Sequence, residues 1–184
     1  GNAVSRSSLA ALMWGESSET AARSNLRKAL QPLRKYLGEF LSINRDRVSL
    51  AEGANIWVDV HQFNAALKAS AQDNTQNLAN AIDLYQGDFL EGFYVHNAPD
   101  FENWWLTQRA RLRETMLDAL HTLADHHTKA GEFETAIQLM RRYLELEPWR
   151  ESAHRRLMDL LAHNGQRSAA LAQYETCRQI LSKE

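Results

Sequence analysis

A mainly α-helical chain is predicted for these 184 residues, built as a stack of helical hairpins behind a small segment that carries one β-hairpin. Three observations lead there. Apolar residues recur at three- and four-residue spacing through most of the sequence, the period of a helix with one buried face. A period of thirty-four residues relates Gly131 to Gly165, Ala136 to Ala170, Ile137 to Leu171, Met140 to Tyr174 and Leu123 to Leu157. Charge is uneven within a total of −2: residues 1–57 hold eight Lys/Arg against five Asp/Glu, and residues 58–184 hold thirteen against eighteen. A front of net +3 and a remainder of net −5 suggest two jobs, one of them with phosphates.

Ser5–Trp14 reads as a short helix with Leu9, Leu12 and Met13 inward. Ser18–Leu37 reads as a second helix whose apolar stripe is Ala22, Leu26, Ala29, Leu30, Leu33 and Leu37. On its outer side Arg23, Arg27, Gln31 and Arg34 follow at four, four and three residues, with Lys28 and Lys35 beside them. Arg and Lys can pair with guanine edges or phosphates, and Gln with adenine. Pro32 lies inside this helix, where it lacks an N–H and collides with the carbonyl of residue 28, so a kink is expected there. Leu41–Asn44 and Arg47–Leu50 alternate as a β-hairpin with Arg45 and Asp46 at its turn. Helix, helix and a hairpin with a basic tip is the order of a winged helix-turn-helix. The same arginines also suit a plain solvated face, and the residues alone leave both readings open.

Further on, Asp59 with Gln62 three positions later forms a capping-box pattern at the start of a helix lined by Val60, Phe63 and Leu67. After a polar gap at Gln72–Gln76, Leu78, Ala81, Ile82 and Tyr85 line the next. The connection Gly87–Pro99 carries Phe89, Leu90, Phe93, Tyr94 and Val95, too apolar to lie in solvent, so it is expected to pack over helices. Asp100 is a cap for a helix without Gly or Pro to Ala130, roughly 45 Å long at ~1.5 Å per residue. Beyond Gly131, Phe133, Ala136, Ile137, Met140 and Leu144 form the next stripe, which Pro148 ends. Arg150–His163 and Arg167–Ser182 repeat the pair, the latter with Ala170, Leu171, Tyr174, Cys177 and Leu181 inward. Helix, glycine turn, helix and proline resemble the tetratricopeptide pattern, and the concave side of such a stack presents His121, Asp125, Thr128, Ser152, Arg155 and Asp159, a candidate partner-binding groove whose mixed charge suits a polar peptide or plain solvent equally.

Composition narrows the chemistry. Hydrophobic residues make 44% and charged residues 24% of the chain, normal for a folded soluble domain, and no apolar run approaches the ~18 residues of a membrane span. No basic-then-apolar leader opens the sequence, so a cytoplasmic location is expected. Neither a glycine-rich phosphate loop nor a nucleophile elbow is present, and one cysteine, Cys177, makes no internal disulfide. Glu151-x-x-His154 and Asp118-x-x-His121 have the spacing of di-iron bundles, but such a site needs inward carboxylates from two further helices, where the stripes offer apolar groups. His126 and His127 are neighbours and project about 100° apart on a helix, so they do not share an ion easily, and His127 falls on the packed stripe. Trp104 and Trp105 read as packing residues. The chain is therefore expected to be no enzyme and to carry no metal or cofactor.

A resemblance sharpens this. Val4-Ser5-Arg6, Leu9, Leu12, Trp14-Gly15, Asn25-Leu26-Arg27, Leu33-Arg34-Lys35 and Leu37-Gly38 are similar to the winged-helix domain of response-regulator-type transcription factors. Trp57-Val58-Asp59-Val60, Phe63, Leu84-Tyr85-Gln86-Gly87-Asp88-Phe89-Leu90, Gly92-Phe93, Trp105, Arg109 and Leu112 resemble the bacterial transcriptional activation domain. So do Leu144-Glu145-Leu146-Glu147-Pro148 and Ala153-His154-Arg155 with Leu157-Met158. That domain follows a winged helix in antibiotic-pathway regulators of the SARP type and in some larger signalling regulators. The resemblance implies a DNA-binding segment over residues 1–56 and a tetratricopeptide-like activation domain over residues 57–184. It implies DNA contacts from Ser24, Arg27, Lys28, Gln31 and Arg34, and from Arg45 and Arg47 near the wing. It implies as partners DNA, the transcription machinery, other regulator subunits and a second copy in a homodimer. The chain opens at the positioning helix, so the DNA-binding segment is expected to be cropped, to bind DNA poorly alone, and to leave Leu9, Leu12 and Leu26 short of their usual cover. Two rival readings are an internal adaptor of a large ATP-dependent signalling regulator and a repeat scaffold that never meets DNA.

Overall fold

The computed structural model describes residues 3–70 and 75–182, and among them it is mainly helical. The chain divides into two compact units. One comprises residues 1–58 and 89–110, the other residues 59–88 and 111–184.

The first unit opens with strand β1 (Val4–Ser5), helix α1 (Arg6–Trp14), helix α2 (Glu19–Leu37) and strands β2 (Leu41–Ile43) and β3 (Arg47–Leu50). Both helices start at serines whose hydroxyls accept a backbone N–H three residues on: Ser5 from Ser8 at 2.9 Å, Ser18 from Ala21 at 3.4 Å. The expected hairpin forms, and Asn44 shapes its turn by accepting the N–H groups of Asp46 and Arg47 through Oδ1. Sequence reasoning missed β1, a strand too short to show alternation. It pairs antiparallel with β3, Val4 opposite Val48, so the sheet has three strands in the order β1-β3-β2.

Ala10, Ala22, Leu26 and Leu30 form the core of this segment, with Leu9, Trp14, Ile43 and Val48 packed around them. Leu26 is thus buried rather than short of cover, and Leu9 and Leu12 are half-buried. The apolar stripe of α2 stops at Leu30: Leu33 and Leu37, expected inward, are exposed. Helix α2 continues through Pro32 to Leu37.

Residues 89–110 complete the first unit. The connection does pack on a helix, through ring contacts of Phe89 with Trp104 and Phe93 with Phe101, although Phe93 and Tyr94 stay exposed. Helix α5 (Pro99–Lys129) starts one residue before the expected cap. Pro99 takes the first helical position, where its missing N–H costs nothing. The Asp100 side chain instead lies against Gly15, where an added Cβ would collide with it.

The second unit holds α3 (Asp59–Ser70), α4 (Thr75–Leu84), α5 from Arg111 onward, α6 (Phe133–Leu146), α7 (Glu151–His163) and α8 (Arg167–Leu181). The polar gap at Gln72–Gln76 falls largely outside the described residues. No capping box forms at Asp59, whose carboxylate accepts the neighbouring Val60 N–H at 2.7 Å. The thirty-four-residue period is visible in the turns. Gly131 and Gly165 have φ of +78° and +75°, and Glu132 N–H and Gln166 N–H reach the carbonyls of His127 and Leu161, both at 2.8 Å. This is a left-handed glycine C-cap used twice. Ala124, Ala136, Ile137, Met140, Ala153, Leu157, Leu160 and Leu161 share one core across α5, α6 and α7. Ala136 is fully buried, as a close helix approach requires.

Candidate nucleic-acid and partner surfaces

Helix α2 exposes Ser24, Arg27, Lys28, Gln31 and Arg34 together, and Arg45 and Arg47 are exposed at and after the hairpin turn. Their partners differ. Arg34 donates from Nη2 to the Ile43 carbonyl at 2.8 Å and so fastens α2 to β2. Arg23 is held by Glu19 one turn earlier at 2.6 Å in an exposed pair of little energetic weight. Between α2, the start of α1 and the hairpin turn lies a cleft lined by Arg6, Arg23, Arg27, Arg45 and Arg47 against a single carboxylate, Asp46. Sequence reasoning did not assign Arg6. It reaches the cleft because its N–H bonds the Asp46 carbonyl at 2.8 Å and its guanidinium the Asn44 carbonyl at 3.3 Å. Its position beside the capping Ser5 was the available signal. Five guanidinium groups around one opening favour a polyanion whose charges are spaced along it.

On the helical stack, the groove expected from repeat positions is partly occupied by its own ion pairs. Asp125 meets Arg156 at 2.6 Å, and the same guanidinium approaches the Thr128 hydroxyl at 3.4 Å. His121 lies 3.7 Å from Asp125. Ser152, Arg155 and Asp159 are exposed. Arg156, one position beyond the expected Arg155, is therefore the residue that links α7 to α5, and its Nε is buried with no hydrogen-bond partner.

The pattern Glu151-x-x-His154 has a structural explanation. His154 is buried, its Nε2 donates to the Pro148 carbonyl at 2.7 Å, and its Nδ1 accepts from the Gln173 amide at 2.6 Å. Both ring nitrogens are thus engaged in joining the α7 entry to α8. No group of three His, Cys, Asp or Glu close enough to hold a metal occurs among the described residues. No helix among them is long and apolar enough to cross a membrane. Burial pushes the Cys177 thiol up, away from the reactive thiolate.

The Tyr-Gln-Gly-Asp-Phe-Leu stretch is explained in two parts. In the second unit, Asp88 accepts the Tyr85 hydroxyl at 2.9 Å and both Nε and Nη2 of Arg113, at 3.2 and 2.5 Å. Burial and then the neighbouring Asp88 push the Tyr85 phenol up to about 12, and the Asp88 bond raises Arg113 in turn. Arg142 adds two bonds to the end of α4, to the carbonyls of Ile82 and Tyr85 at 2.9 and 2.7 Å. In the first unit, Arg109 stacks over Trp105 at 4.1 Å and donates to the carbonyls of Phe89 and Leu90. Leu90 has φ of +53°, a strained value for a branched residue, and this clasp holds it.

A stack of helical hairpins with repeated glycine turns, preceded by a basic helix–helix–hairpin segment, defines a helical-repeat architecture of the protein-interaction kind. Within that class the chain belongs to the bacterial transcriptional activator domain family, whose model matches residues 58–184. That family serves transcriptional activation and is not an enzyme family. No curated protein matches the chain. Among solved structures, the crystal structure of MamA matches over 69% of this chain and 76% of its own, at 17% sequence identity and a TM-score of 0.34.

Proposed function

We propose that this chain is a DNA-binding transcriptional regulator in which residues 1–56 grip DNA as part of a winged helix and residues 57–184 act by protein contact and self-association. Its partners are then DNA, the transcription machinery or other regulator subunits, and its place is the cytoplasm. The observation that carries the reading is the five-arginine cleft, assembled from α1, α2 and the hairpin directly ahead of an activator domain. In this reading Arg27, Arg45 and Arg47 contact phosphates, Ser24, Lys28 and Gln31 face base edges, and Arg34 sets the angle between α2 and the hairpin. The exposed Ser152, Arg155 and Asp159 of α7, with His121, supply the polar partner groove beside the Asp125–Arg156 pair and Thr128.

The test is binding of the 184-residue chain to random-sequence duplex DNA, followed by fluorescence anisotropy at several salt concentrations. Weak binding in the non-specific range, with Kd of about 10⁻⁶ to 10⁻⁴ M and a steep salt slope, is expected. Arg27→Ala and Arg45→Ala should each lower that slope by about 1. Absence of binding at low salt, or binding indifferent to salt, would leave the repeat scaffold as the better reading.

A further inference from the structure

Three carbonyls around the hairpin turn are held from the two helices. Arg34 of α2 donates from Nη2 to the Ile43 carbonyl at 2.8 Å. Arg6, the first residue of α1, takes the other two: its Nη1 donates to the Asn44 carbonyl at 3.3 Å and its backbone N–H to the Asp46 carbonyl at 2.8 Å. Pairing of Ser5 with Arg47 across β1 and β3 brings Arg6 to that place. Inside the turn, Asn44 accepts the N–H groups of Asp46 and Arg47 through Oδ1, and its own N–H reaches the Arg47 carbonyl at 3.1 Å. The two basic residues of the turn, Arg45 and Arg47, are thus carried on a backbone fixed at both flanks.

Arg6 differs from the guanidinium groups around it. Arg23, Arg27, Arg45 and Arg47 are exposed, whereas Arg6 is half-buried. It also lines two openings at once, the five-arginine cleft and a neighbouring one bounded by Arg27, Gln31 and Arg34. It therefore stands between the hairpin and the exposed face of α2. A planar guanidinium donates in fixed directions, which suits the holding of a carbonyl better than a mobile ammonium would. A turn ordered before binding loses less freedom when its side chains engage a partner, so holding the turn strengthens the contacts made by Arg45 and Arg47.

We infer that Arg6 is a positioning residue for DNA: through Asn44 and Asp46 it holds the hairpin turn so that Arg45 and Arg47 meet phosphates, while Arg34 grips the same turn from α2. This deepens the DNA-binding part of the proposed function and rests on that reading.

A double-mutant cycle with the 184-residue chain and random-sequence duplex DNA, read by fluorescence anisotropy at several salt concentrations, tests it. Arg6→Ala should weaken binding about 5-fold in the wild-type chain and have no further effect once Arg45 and Arg47 are both alanine. Hydrogen exchange of the Asp46 and Arg47 amides should quicken in Arg6→Ala and return towards the wild-type rate in Arg6→Lys, a donor of similar reach. Should Arg6→Ala not fold, Arg6→Gln replaces it in the same cycle. If Arg6→Ala lowers the salt slope by about 1 in both backgrounds, Arg6 touches a phosphate itself and the positioning role is overturned. Binding unchanged by Arg6→Ala in the wild-type chain overturns it as well. A wild-type chain that binds no DNA at low salt instead overturns the regulator reading on which the inference rests.

Discussion

Tyr85 shows how one side chain ties a recognisable sequence stretch to stability. Its hydroxyl donates to Asp88 from a buried position, and its phenol is pushed up to about 12 against the ordinary value of 10.0. The folded chain therefore holds that proton more tightly than the unfolded chain. The contribution is fully present below pH 10 and is lost as pH rises through 12. Denaturant unfolding measured from pH 8 to 12 should show stability falling above pH 10, and Tyr85→Phe should flatten that fall. At pH 8 the same substitution should cost about 1.5–2 kcal/mol, the lower end of the range for one hydrogen bond to a charged acceptor, since Asp88 keeps Arg113 as a partner. A slope unchanged by Tyr85→Phe would show that the other raised phenol, Tyr143, carries it.

At the scale of elements, each glycine turn is a conformational demand with no steric crowding behind it. Nothing lies within 4 Å of where a Cβ would sit on Gly131 or Gly165, yet both have φ near +75°. Alanine at either position forces an L-residue into the left-handed region, offset in part by a less flexible unfolded chain. Gly131→Ala and Gly165→Ala should each destabilise by about 1 kcal/mol, read as a fall in melting temperature of roughly 2–4 °C. The helices and these turns were legible in the sequence because each is written locally, in spacing and in a glycine. Strand β1 was not, since two residues show no alternation and only β3 defines them. The burial limits of α2 and α8 were not legible either. Leu33, Leu37, Leu171 and Tyr174 match the apolar stripe as well as their buried neighbours do, and exposure depends on what lies opposite.

For the whole molecule, a net charge of −2 conceals a basic front and an acidic remainder. If the chain self-associates as proposed, folding is coupled to assembly, and mass action makes stability depend on protein concentration. Thermal melts of the chain should then shift upward as concentration rises a hundredfold. A melting temperature independent of concentration would exclude assembly linked to folding.

The candidate site divides along the same line. The basic face of α2 and the hairpin's arginines could be assigned from spacing alone, because helical and strand periods fix which residues share a face. Arg6 joined them, Arg34 turned to a backbone carbonyl, and Arg156, outside the expected groove set, paired with Asp125 only when distant segments met. By itself, then, the sequence determined the helices, their glycine turns, the hairpin and the uneven charge, all consequences of rules acting within a few residues. Tertiary structure alone decided which apolar residues are covered and which charges find partners. Those outcomes depend on groups far apart in the chain, and no local period encodes them.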